Sequence, residues 1–321
     1  MAYYLGIDGG GTKTRCVLGD ERTVLATAMS GGSNIVRLGE TRAREALHTA
    51  IRQVCATANI SPAQISAVCI GAAGADRPEI VAKIRAILVE LISETALPKI
   101  EVVGDMTIAL EAACGAGPGV IAIAGTGSIA YGRDAIGHTA RAGGWGFAVS
   151  DEGSGHWIGR CAISAILSAH DQGLETTLSA MVLQAWKLNT LDELVQQANS
   201  TPPPDFPRLF PIVLRAADED DSVARSLLTD AGAKLGSLAA IVVHRLAHNT
   251  PAAMLTGSMH PVATLPVATL PVAMTGSVFR QSPDVRRVFY NTLQTRLPGI
   301  DVRQDIVDPI EGALARARAP H

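Results

Sequence analysis

A strand that runs into three consecutive glycines is the feature that most constrains the fold of this chain. Asp8 ends an apolar strand, residues 9–11 are all glycine, and Thr12 and Lys13 lead into a second, alternating strand. This order predicts a β-hairpin whose glycine turn lets backbone N–H groups approach a phosphate. Asp8, at the strand end, would then hold a hydrated cation. A plain hairpin turn is the alternative, although it needs fewer glycines.

The common phosphate-loop templates fail on spacing. A Walker A loop requires lysine directly after its last glycine, but Thr12 separates Gly11 from Lys13, and a strand follows instead of a helix. The dinucleotide-binding fingerprint requires a third glycine where this chain has Thr14. Both of these nucleotide-binding folds are therefore disfavoured.

The same pattern recurs in the second half of the chain. An apolar strand after Gly119 leads into Gly125, Thr126, Gly127 and Ser128, and a further strand follows. With 321 residues, the chain is long enough for about two domains of roughly 100–200 residues each. We therefore expect two domains, each with a hairpin loop at the start of its sheet, and both loops facing one nucleotide across a cleft.

Apolar spacing around the first hairpin predicts an α/β domain. Residues 40–59 and 78–92 have helical periodicity. The short apolar runs 67–73 and 100–103 are typical of buried parallel strands. Strands that alternate with helices in this way indicate a sheet covered by helices.

The second half carries helical insertions and a duplicated segment. Helical periodicity dominates from residue 154 to about 248. A tandem Val-Ala-Thr-Leu-Pro repeat at 262–271, flanked by Thr-Gly-Ser copies at 256–258 and 275–277, predicts an enlarged loop before a strand at 272–275. A last helix is expected from Asp308.

Composition and charge exclude several function classes. A net charge of −3 gives no electrostatic case for a nucleic-acid or anionic-membrane partner. The five cysteines are scattered without a C-x-x-C pair, which predicts reduced, buried thiols. The N-terminus lacks a leader pattern and no later run reaches about 18 uninterrupted apolar residues, so we expect a cytoplasmic protein.

Two acidic positions allow both a structural and a chemical interpretation. Asp105 follows an apolar strand and precedes a helix, where it would act as an N-cap or, opposite two phosphate loops, as the base that accepts a proton from a hydroxyl. The negative charges of Asp151 and Glu152 would stabilise the N-terminus of the next helix through its dipole. They also follow Gly144, Trp145 and Gly146, a loop suited to a small ligand with an apolar face.

Several blocks together resemble a known family. The chain resembles the superfamily of sugar kinases, heat-shock ATPases and actin, and within it the N-acetylglucosamine kinases that group with the BadF/BadG/BcrA/BcrD-type ATPases. The resemblance runs nearly end to end, and its middle block, residues 143–147 with 151–154, is the most specific. The blocks that carry it are residues 8–12, 103–105, 125–128, 143–147, 151–154, 275–278 and 309–313.

The resemblance implies two actin-like, ribonuclease H-like domains, each a mixed sheet with a β-hairpin phosphate loop and flanking helices, around a central cleft. Residues 1–116 would form the first domain, with a C-terminal helix at 308–321 packing back on it, and residues 117–307 the second. It implies a homodimeric, ATP- and Mg²⁺-dependent transferase that phosphorylates the 6-hydroxyl of an amino sugar, foremost N-acetyl-D-glucosamine. Glucosamine kinase or another amino-sugar kinase is the alternative.

The resemblance also implies a role for individual residues. Asp105 corresponds to the catalytic base, and Asp8 to the magnesium position, where the cation is held through water. The positions that correspond to ATP contacts are Gly9, Gly10, Gly11, Thr12, Lys13, Gly125, Thr126, Gly127, Pro211, Gly276 and Ser277. The positions that correspond to amino-sugar contacts are Asn34, Ser128, Gly144, Trp145, Gly146 and Asp151.

Other members of the superfamily fit the residues less well. An ATPase activator of an electron-transfer enzyme would bridge an iron–sulfur cluster with exposed cysteines in glycine-rich loops. Cys114 lies beside Gly115, but Cys161 falls within a predicted helix, so the cluster ligands are missing. A sugar-sensing regulator would need an added helix-turn-helix. The zinc-containing glucokinases would need clustered cysteine and histidine ligands.

Overall fold

The chain folds into two compact units. The computed structural model describes residues 2–75, 77–92, 98–249 and 270–319. Unit 1 comprises Met1–Gly117 together with Val307–His321, and unit 2 comprises Pro118–Ile306. The C-terminal segment of the chain is therefore part of the unit that the N-terminus begins.

Unit 1 is built on a five-stranded mixed sheet with the strand order β3-β2-β1-β4-β5. The first three strands are an antiparallel meander, whereas β4 and β5 run parallel to β1. The strands are β1 (Tyr3–Gly9), β2 (Lys13–Gly19), β3 (Val24–Gly31), β4 (Ile65–Ala72) and β5 (Lys99–Gly104). The helices are α1 (Ile35–Leu38), α2 (Glu40–Ala58), α3 (Pro78–Ile92), α4 (Asp105–Cys114) and α12 (Pro309–Arg318).

Helices cover both faces of this sheet because its strands are apolar on both faces. Leu5 and Ile7 of β1 are fully buried in a core shared with α2 and α3. On the opposite face, α12 packs on β1 and on α4. A Cβ at Gly6 would lie 2.5 Å from the Leu314 nitrogen, so only glycine lets α12 lie this close to the strand. The last helix thus completes the first unit.

Unit 2 repeats the topology of unit 1. Its strand order is β10-β9-β6-β7-β8, with β6, β7 and β8 antiparallel and β9 and β10 parallel to β6. The strands are β6 (Gly119–Ala124), β7 (Ser128–Arg133), β8 (Thr139–Gly143), β9 (Val272–Thr275) and β10 (Val302–Ile306). The helices are α5 (Gly155–Asp171), α6 (Thr177–Trp186), α7 (Leu191–Ala198), α8 (Phe210–Asp218), α9 (Ser222–Asn249), α10 (Ser277–Gln281) and α11 (Pro283–Arg296).

The long helix α9 is the central helix of unit 2. Within the described residues it is the one segment, Ser222–Ala247, whose length and composition would allow a membrane crossing, and more than half of that window is buried. It packs along α11 and against β6, β7 and β8. A Cβ at Gly232 would lie 2.8 Å from the Val288 Cβ, which shows how closely the two helices approach. The apolar composition of α9 is accounted for by this packing.

The predicted fold class is confirmed, with differences in detail. Both units are mixed sheets that begin with a β-hairpin and are flanked by helices. The strand predicted at 272–275 is present, whereas the tandem repeat up to residue 269 and the first Thr-Gly-Ser copy lie outside the described residues. Three cysteines are buried as predicted, but Cys114 and Cys161 are partly exposed.

Candidate active site

The glycine turn of unit 1 is fixed by the segment that follows β3. The Gly10 N–H donates to the Lys13 carbonyl at 3.0 Å and closes the hairpin. The Ser33 N–H donates to the Gly10 carbonyl at 3.1 Å, so a neighbouring segment binds the turn from one side. A Cβ at Gly32 would lie 2.5 Å from the Gly11 carbonyl oxygen. The approach therefore depends on glycine at position 32, which sequence reasoning did not identify.

Asn34 is held directly beside this turn. It is the N-cap of α1, and its Oδ1 accepts a hydrogen bond from the Arg37 N–H at 3.1 Å. The preceding Ser33 accepts a hydrogen bond from the buried Thr14 hydroxyl at 2.8 Å. The proposed amino-sugar contact Asn34 thus lies within unit 1, close to the hairpin proposed to bind ATP.

Two carboxylates lie together at one edge of the sheet of unit 1. Asp8 is near the end of β1 and Asp105 directly follows β5, and the carboxyl ends of the parallel strands β1, β4 and β5 share that edge. Burial raises the pKa of Asp8 to about 6, and the negative charge of Asp105 acts in the same direction. The edge therefore carries concentrated negative charge.

Arg15 is a basic residue that lies opposite Asp8 in the sheet. It is the cross-strand partner of Asp8 on β2. Its guanidinium binds Asp308 through two hydrogen bonds, Nη1 to Oδ1 at 2.6 Å and Nη2 to Oδ2 at 2.8 Å. Asp308 is also the N-cap of α12. Arg15 and Asp308 were not predicted as site residues, although an arginine within β2, two residues after Lys13, was a signal for the first of them.

Asp105 is not an N-cap, which was one of the two interpretations of this residue from the sequence. Gly104 occupies the N-cap position, and Asp105 is the first residue of α4. Its Oδ1 accepts a hydrogen bond from the Met106 N–H at 2.9 Å. The capping interpretation is off by one residue, because glycine can serve as N-cap without a side-chain hydrogen bond. A carboxylate at the first helical position still gains from the helix dipole.

The glycine turn of unit 2 is bound by the N-terminus of α5. The Gly155 N–H donates to the Gly125 carbonyl at 2.8 Å, and the His156 N–H donates to the Thr126 carbonyl at 3.2 Å. The Ser128 hydroxyl donates to the Glu152 carbonyl at 2.8 Å. These bonds turn carbonyl oxygens of the hairpin towards α5, which suits a turn that binds an anion through its N–H groups.

The loop at 144–150 presents exposed apolar side chains next to this turn. Trp145 is 68% exposed, and Phe147 and Val149 are also exposed. The Arg141 guanidinium lies over the Trp145 ring, 4.3 Å from its centroid. The Phe147 ring contacts the His156 ring at a centroid distance of 5.1 Å. These two contacts hold the loop in place, while its apolar side chains remain exposed to solvent.

Asp151 ends this loop and lies against the turn of unit 2. It is buried, and its φ of 66° is unusual for a residue other than glycine. A Cβ at Gly127 would lie 2.8 Å from Asp151 Oδ2. Burial raises the pKa of Asp151, while hydrogen bonds from the Ser128 and Gly146 N–H groups act in the opposite direction.

The remaining predicted positions lie at two places in unit 2. Gly276 is the N-cap of α10 with a φ of 107°, and it packs against the backbone of Ala124 at the end of β6. Ser277 is the first residue of α10. These two residues are therefore close to the turn at 125–128. Pro211 lies in the first turn of α8, directly after Phe210, which packs near Gly155.

Comparisons with known proteins agree with the motifs. A family model described as the BadF/BadG/BcrA/BcrD ATPase family matches residues 5–317. The N-acetylmuramic acid/N-acetylglucosamine kinase of Clostridium acetobutylicum is 34% identical over 261 residues, which are 80% of this chain and 84% of the relative. The N-acetyl-D-glucosamine kinase of Dictyostelium discoideum is 30% identical over 256 residues, 76% of this chain and 80% of the relative.

A solved structure supports the same relationship. A candidate N-acetylglucosamine kinase of Chromobacterium violaceum has a TM-score of 0.71 at 26% identity, and the match covers 98% of both chains. The family model, the curated relatives and this structure all span most of the chain. The family inferred from the sequence motifs is thereby confirmed: the chain belongs to the BadF/BadG/BcrA/BcrD ATPase family.

Proposed function

We propose that this protein is an ATP-dependent amino-sugar kinase that phosphorylates the 6-hydroxyl of N-acetyl-D-glucosamine. The observation that carries the proposal is the pair Asp8 and Asp105 at one strand edge beside a glycine hairpin, in a chain whose curated relatives are kinases of N-acetylated amino sugars. Phosphoryl transfer needs positioned phosphates, neutralised charge and one carboxylate that orients the hydroxyl. Unit 1 offers groups for all three.

Asp105 is the proposed base. Its carboxylate would accept the proton of the sugar 6-hydroxyl as that oxygen bonds to the γ-phosphorus of ATP, and the bond to the β-phosphate oxygen breaks to release ADP. Its place at the start of α4 fixes its backbone on a regular element. A group on a rigid element holds its geometry better than one on a loop.

The two hairpin turns are the proposed phosphate contacts. Gly9, Gly10, Gly11, Thr12 and Lys13 would serve in unit 1, and Gly125, Thr126 and Gly127 in unit 2. The position of Gly276 beside the end of β6 supports a nucleotide contact by Gly276 and Ser277 in the same unit. Pro211 is proposed for the nucleotide side as well, through its place in the first turn of α8.

Asp8 fits the proposed magnesium position. Magnesium is usually held through one or two carboxylates, waters and the substrate phosphates. Burial and, after it, the negative charge of Asp105 raise the pKa of Asp8, and a divalent cation would compensate the charge of the two carboxylates. Bound there, Mg²⁺ would neutralise phosphate charge. Arg15, engaged by Asp308, remains beside Asp8 as a fixed countercharge.

The amino sugar is proposed to contact Asn34, Ser128, Gly144, Trp145, Gly146 and Asp151. The exposed Trp145 ring offers an apolar surface for a sugar face, and the glycines on either side let backbone groups approach hydroxyls. The pattern suits a small polar ligand with one apolar face. Glucosamine or another amino sugar is the alternative substrate, because tolerance for one acyl group depends on pocket shape.

The proposal also includes a cytoplasmic homodimer. The use of ATP and the five free thiols support an intracellular setting. The second class considered, an ATPase activator of an electron-transfer enzyme, is not favoured, because Cys161 lies within α5 and Cys114 at the end of α4. Size-exclusion chromatography with light scattering would test the dimer.

A coupled assay of ADP release against a panel of amino sugars tests the function. N-acetylglucosamine should stimulate ADP release strongly and yield the 6-phosphate, identified by mass spectrometry and NMR. The panel should include glucosamine, N-acetylmannosamine, N-acetylmuramic acid and glucose. ADP release that no sugar stimulates would contradict the kinase proposal.

A further inference from the structure

Asp151 makes contacts that a simple sugar ligand would not need. Burial raises the pKa of its carboxyl, and hydrogen bonding from the N–H of Ser128, in the hairpin of unit 2, and from the N–H of Gly146, in the loop at 144–150, lowers it. Ser128 directly follows the proposed phosphate contacts of the turn, and Gly146 lies in the proposed sugar loop. One buried side chain therefore joins the two segments.

The surrounding geometry keeps the carboxylate in this place. A Cβ at Gly127 would lie 2.8 Å from Asp151 Oδ2, so the carboxylate packs directly on the backbone of the turn. The Asp151 backbone has a φ of 66°, in the left-handed region that non-glycine residues rarely adopt. Its carbonyl accepts the Ser154 N–H at 3.1 Å at the start of α5. An uncommon backbone conformation is thus retained where it aims one carboxylate at two loops.

We propose that Asp151 is a positioning residue that couples the phosphate turn of unit 2 to the amino-sugar loop. The inference rests on the proposed function and deepens it. Hydrogen bonds from N–H groups to a carboxylate are stronger than those to neutral acceptors. The shape of the turn at 125–128 therefore depends on Asp151 even when no sugar is bound.

This role makes a different prediction from that of a sugar ligand alone. A residue that only contacts the sugar affects the KM for sugar and leaves nucleotide binding by the sugar-free protein unchanged. A positioning residue affects both, because the turn loses an acceptor. Asp151→Asn is the sharpest variant, since asparagine also tolerates the left-handed conformation. Its NH₂ group, however, cannot accept a hydrogen bond from the second N–H.

The experiment measures the affinity for MgADP by calorimetry in the absence of sugar. Asp151→Asn should weaken binding on the order of tenfold, the loss expected for one charge-assisted hydrogen bond. Glu152→Gln is the matched control, because the Glu152 side chain instead accepts from the Ser150 hydroxyl at 3.0 Å. The control should bind MgADP within about twofold of wild type.

Hydrogen–deuterium exchange on the wild-type protein gives a second measurement that does not require a folded variant. MgADP alone should slow exchange in the loop at 144–150, which contains no proposed nucleotide contact. Unchanged exchange there, or MgADP affinity of Asp151→Asn equal to wild type, would overturn the inference while leaving the kinase proposal intact. A wild-type protein that binds no MgADP would overturn the proposed function, and the inference with it.

Discussion

The two units build the same hairpin and surround it with different chemistry. In unit 1 the turn lies near charged side chains, with Asp8, Asp105 and the ion pair of Arg15 and Asp308 at the same end of the sheet. In unit 2 the turn is bound mainly by backbone N–H groups of α5. Strand order and direction are the same in both sheets, so the two hairpins differ in the groups that pack around them and not in their topology. The proposed roles of the hairpins follow from those groups.

Under the proposed function, this difference divides the tasks between the two units. Unit 1 would hold the cation and the base, and its hairpin would bind phosphate. Unit 2 is suited to a neutral ligand and to an anion bound by N–H groups, with an exposed indole at its loop. The topology is thus a shared scaffold, and function depends on the sites built on it. Each prediction below changes one unit and uses the other as its reference.

The largest effect is expected for Asp105→Asn. It removes the proposed base of unit 1, so kcat should fall by a factor on the order of 10² to 10⁴ with little change in MgATP binding. The measurement is steady-state kinetics at saturating sugar and MgATP. Asp192→Asn is the matched control, because Asp192 is an exposed aspartate in the first turn of α7 in unit 2. Equal kcat in the two variants would disprove the assignment of the base.

The same substitution at two carboxylates should change stability in opposite directions. Asp8 in unit 1 is partly buried and lies within the electrostatic influence of Asp105, so Asp8→Asn should raise the free energy of unfolding of the EDTA-treated protein by about 1 kcal/mol while activity is lost. Asp221 in unit 2 is buried but accepts from the Thr176 hydroxyl at 2.7 Å, the Thr177 hydroxyl at 3.0 Å and the Ala224 N–H at 2.9 Å. Asp221→Asn should lower the free energy of unfolding by about 2 kcal/mol.

The pH dependence of the Asp221 effect has a defined sign. Burial acts to raise the pKa of Asp221, but hydrogen bonds from Thr176, Thr177 and backbone N–H groups together hold it below its ordinary value. A carboxylate with a lowered pKa in the folded state stabilises the protein above its unfolded pKa of about 3.9 and loses this contribution as the pH falls further. The difference between wild type and Asp221→Asn should therefore shrink below about pH 4.

Tryptophan fluorescence measures the stability change in unit 2 separately from that in unit 1. All 3 tryptophans of the chain lie in unit 2, at 145, 157 and 186, so urea unfolding followed by fluorescence reports on that unit. Hydrogen exchange of β1 and β4 peptides reports on unit 1. If both substitutions destabilised their units equally, the contrast between a strained and a satisfied carboxylate would be wrong.

Much of the fold of both units could be predicted from the sequence, because the signals for it are local. The two glycine hairpins, the helical spacing of α2 and α3 and the short apolar runs of β4 and β5 are local signals, because period and turn chemistry reveal them directly. The motifs also identified the family. The ion pair of Arg15 with Asp308 was not predictable, because 293 positions separate the partners. Neither was the double hydrogen bonding of Asp151, which depends on how two loops pack.

Valine at the turns should reduce nucleotide binding in both units. A Cβ at Gly125 meets no atom within 4 Å, so Gly125→Val should fold normally and raise the KM for ATP on the order of tenfold by occupying phosphate space. A Cβ at Gly10 would lie 3.1 Å from the Lys13 carbonyl oxygen, so Gly10→Val should add a small loss of stability. Gly125→Ala should give a smaller rise in KM than Gly125→Val. Unchanged ATP kinetics in all three variants, with circular dichroism confirming the fold, would mean that both turns are structural.

The smallest effect is expected for the ion pair between Arg15 and Asp308 in unit 1. Asp308→Ala removes both the N-cap of α12 and the two hydrogen bonds to Arg15, so it should lower the free energy of unfolding by about 1–2 kcal/mol. Asp284→Ala in unit 2 is the matched control, because Asp284 also lies at the beginning of a helix, in its first turn, and pairs with an arginine, Arg287, but at an exposed position. The control should change stability by about 0.5 kcal/mol or less. Exchange of α12 peptides for Asp308→Ala and fluorescence-detected urea midpoints for Asp284→Ala give the two values. Equal losses of stability would show that the ion pair of Arg15 with Asp308 stabilises unit 1 no more than an exposed surface pair stabilises unit 2. The two units would then differ in the groups around their hairpins but not in how ion pairs stabilise them.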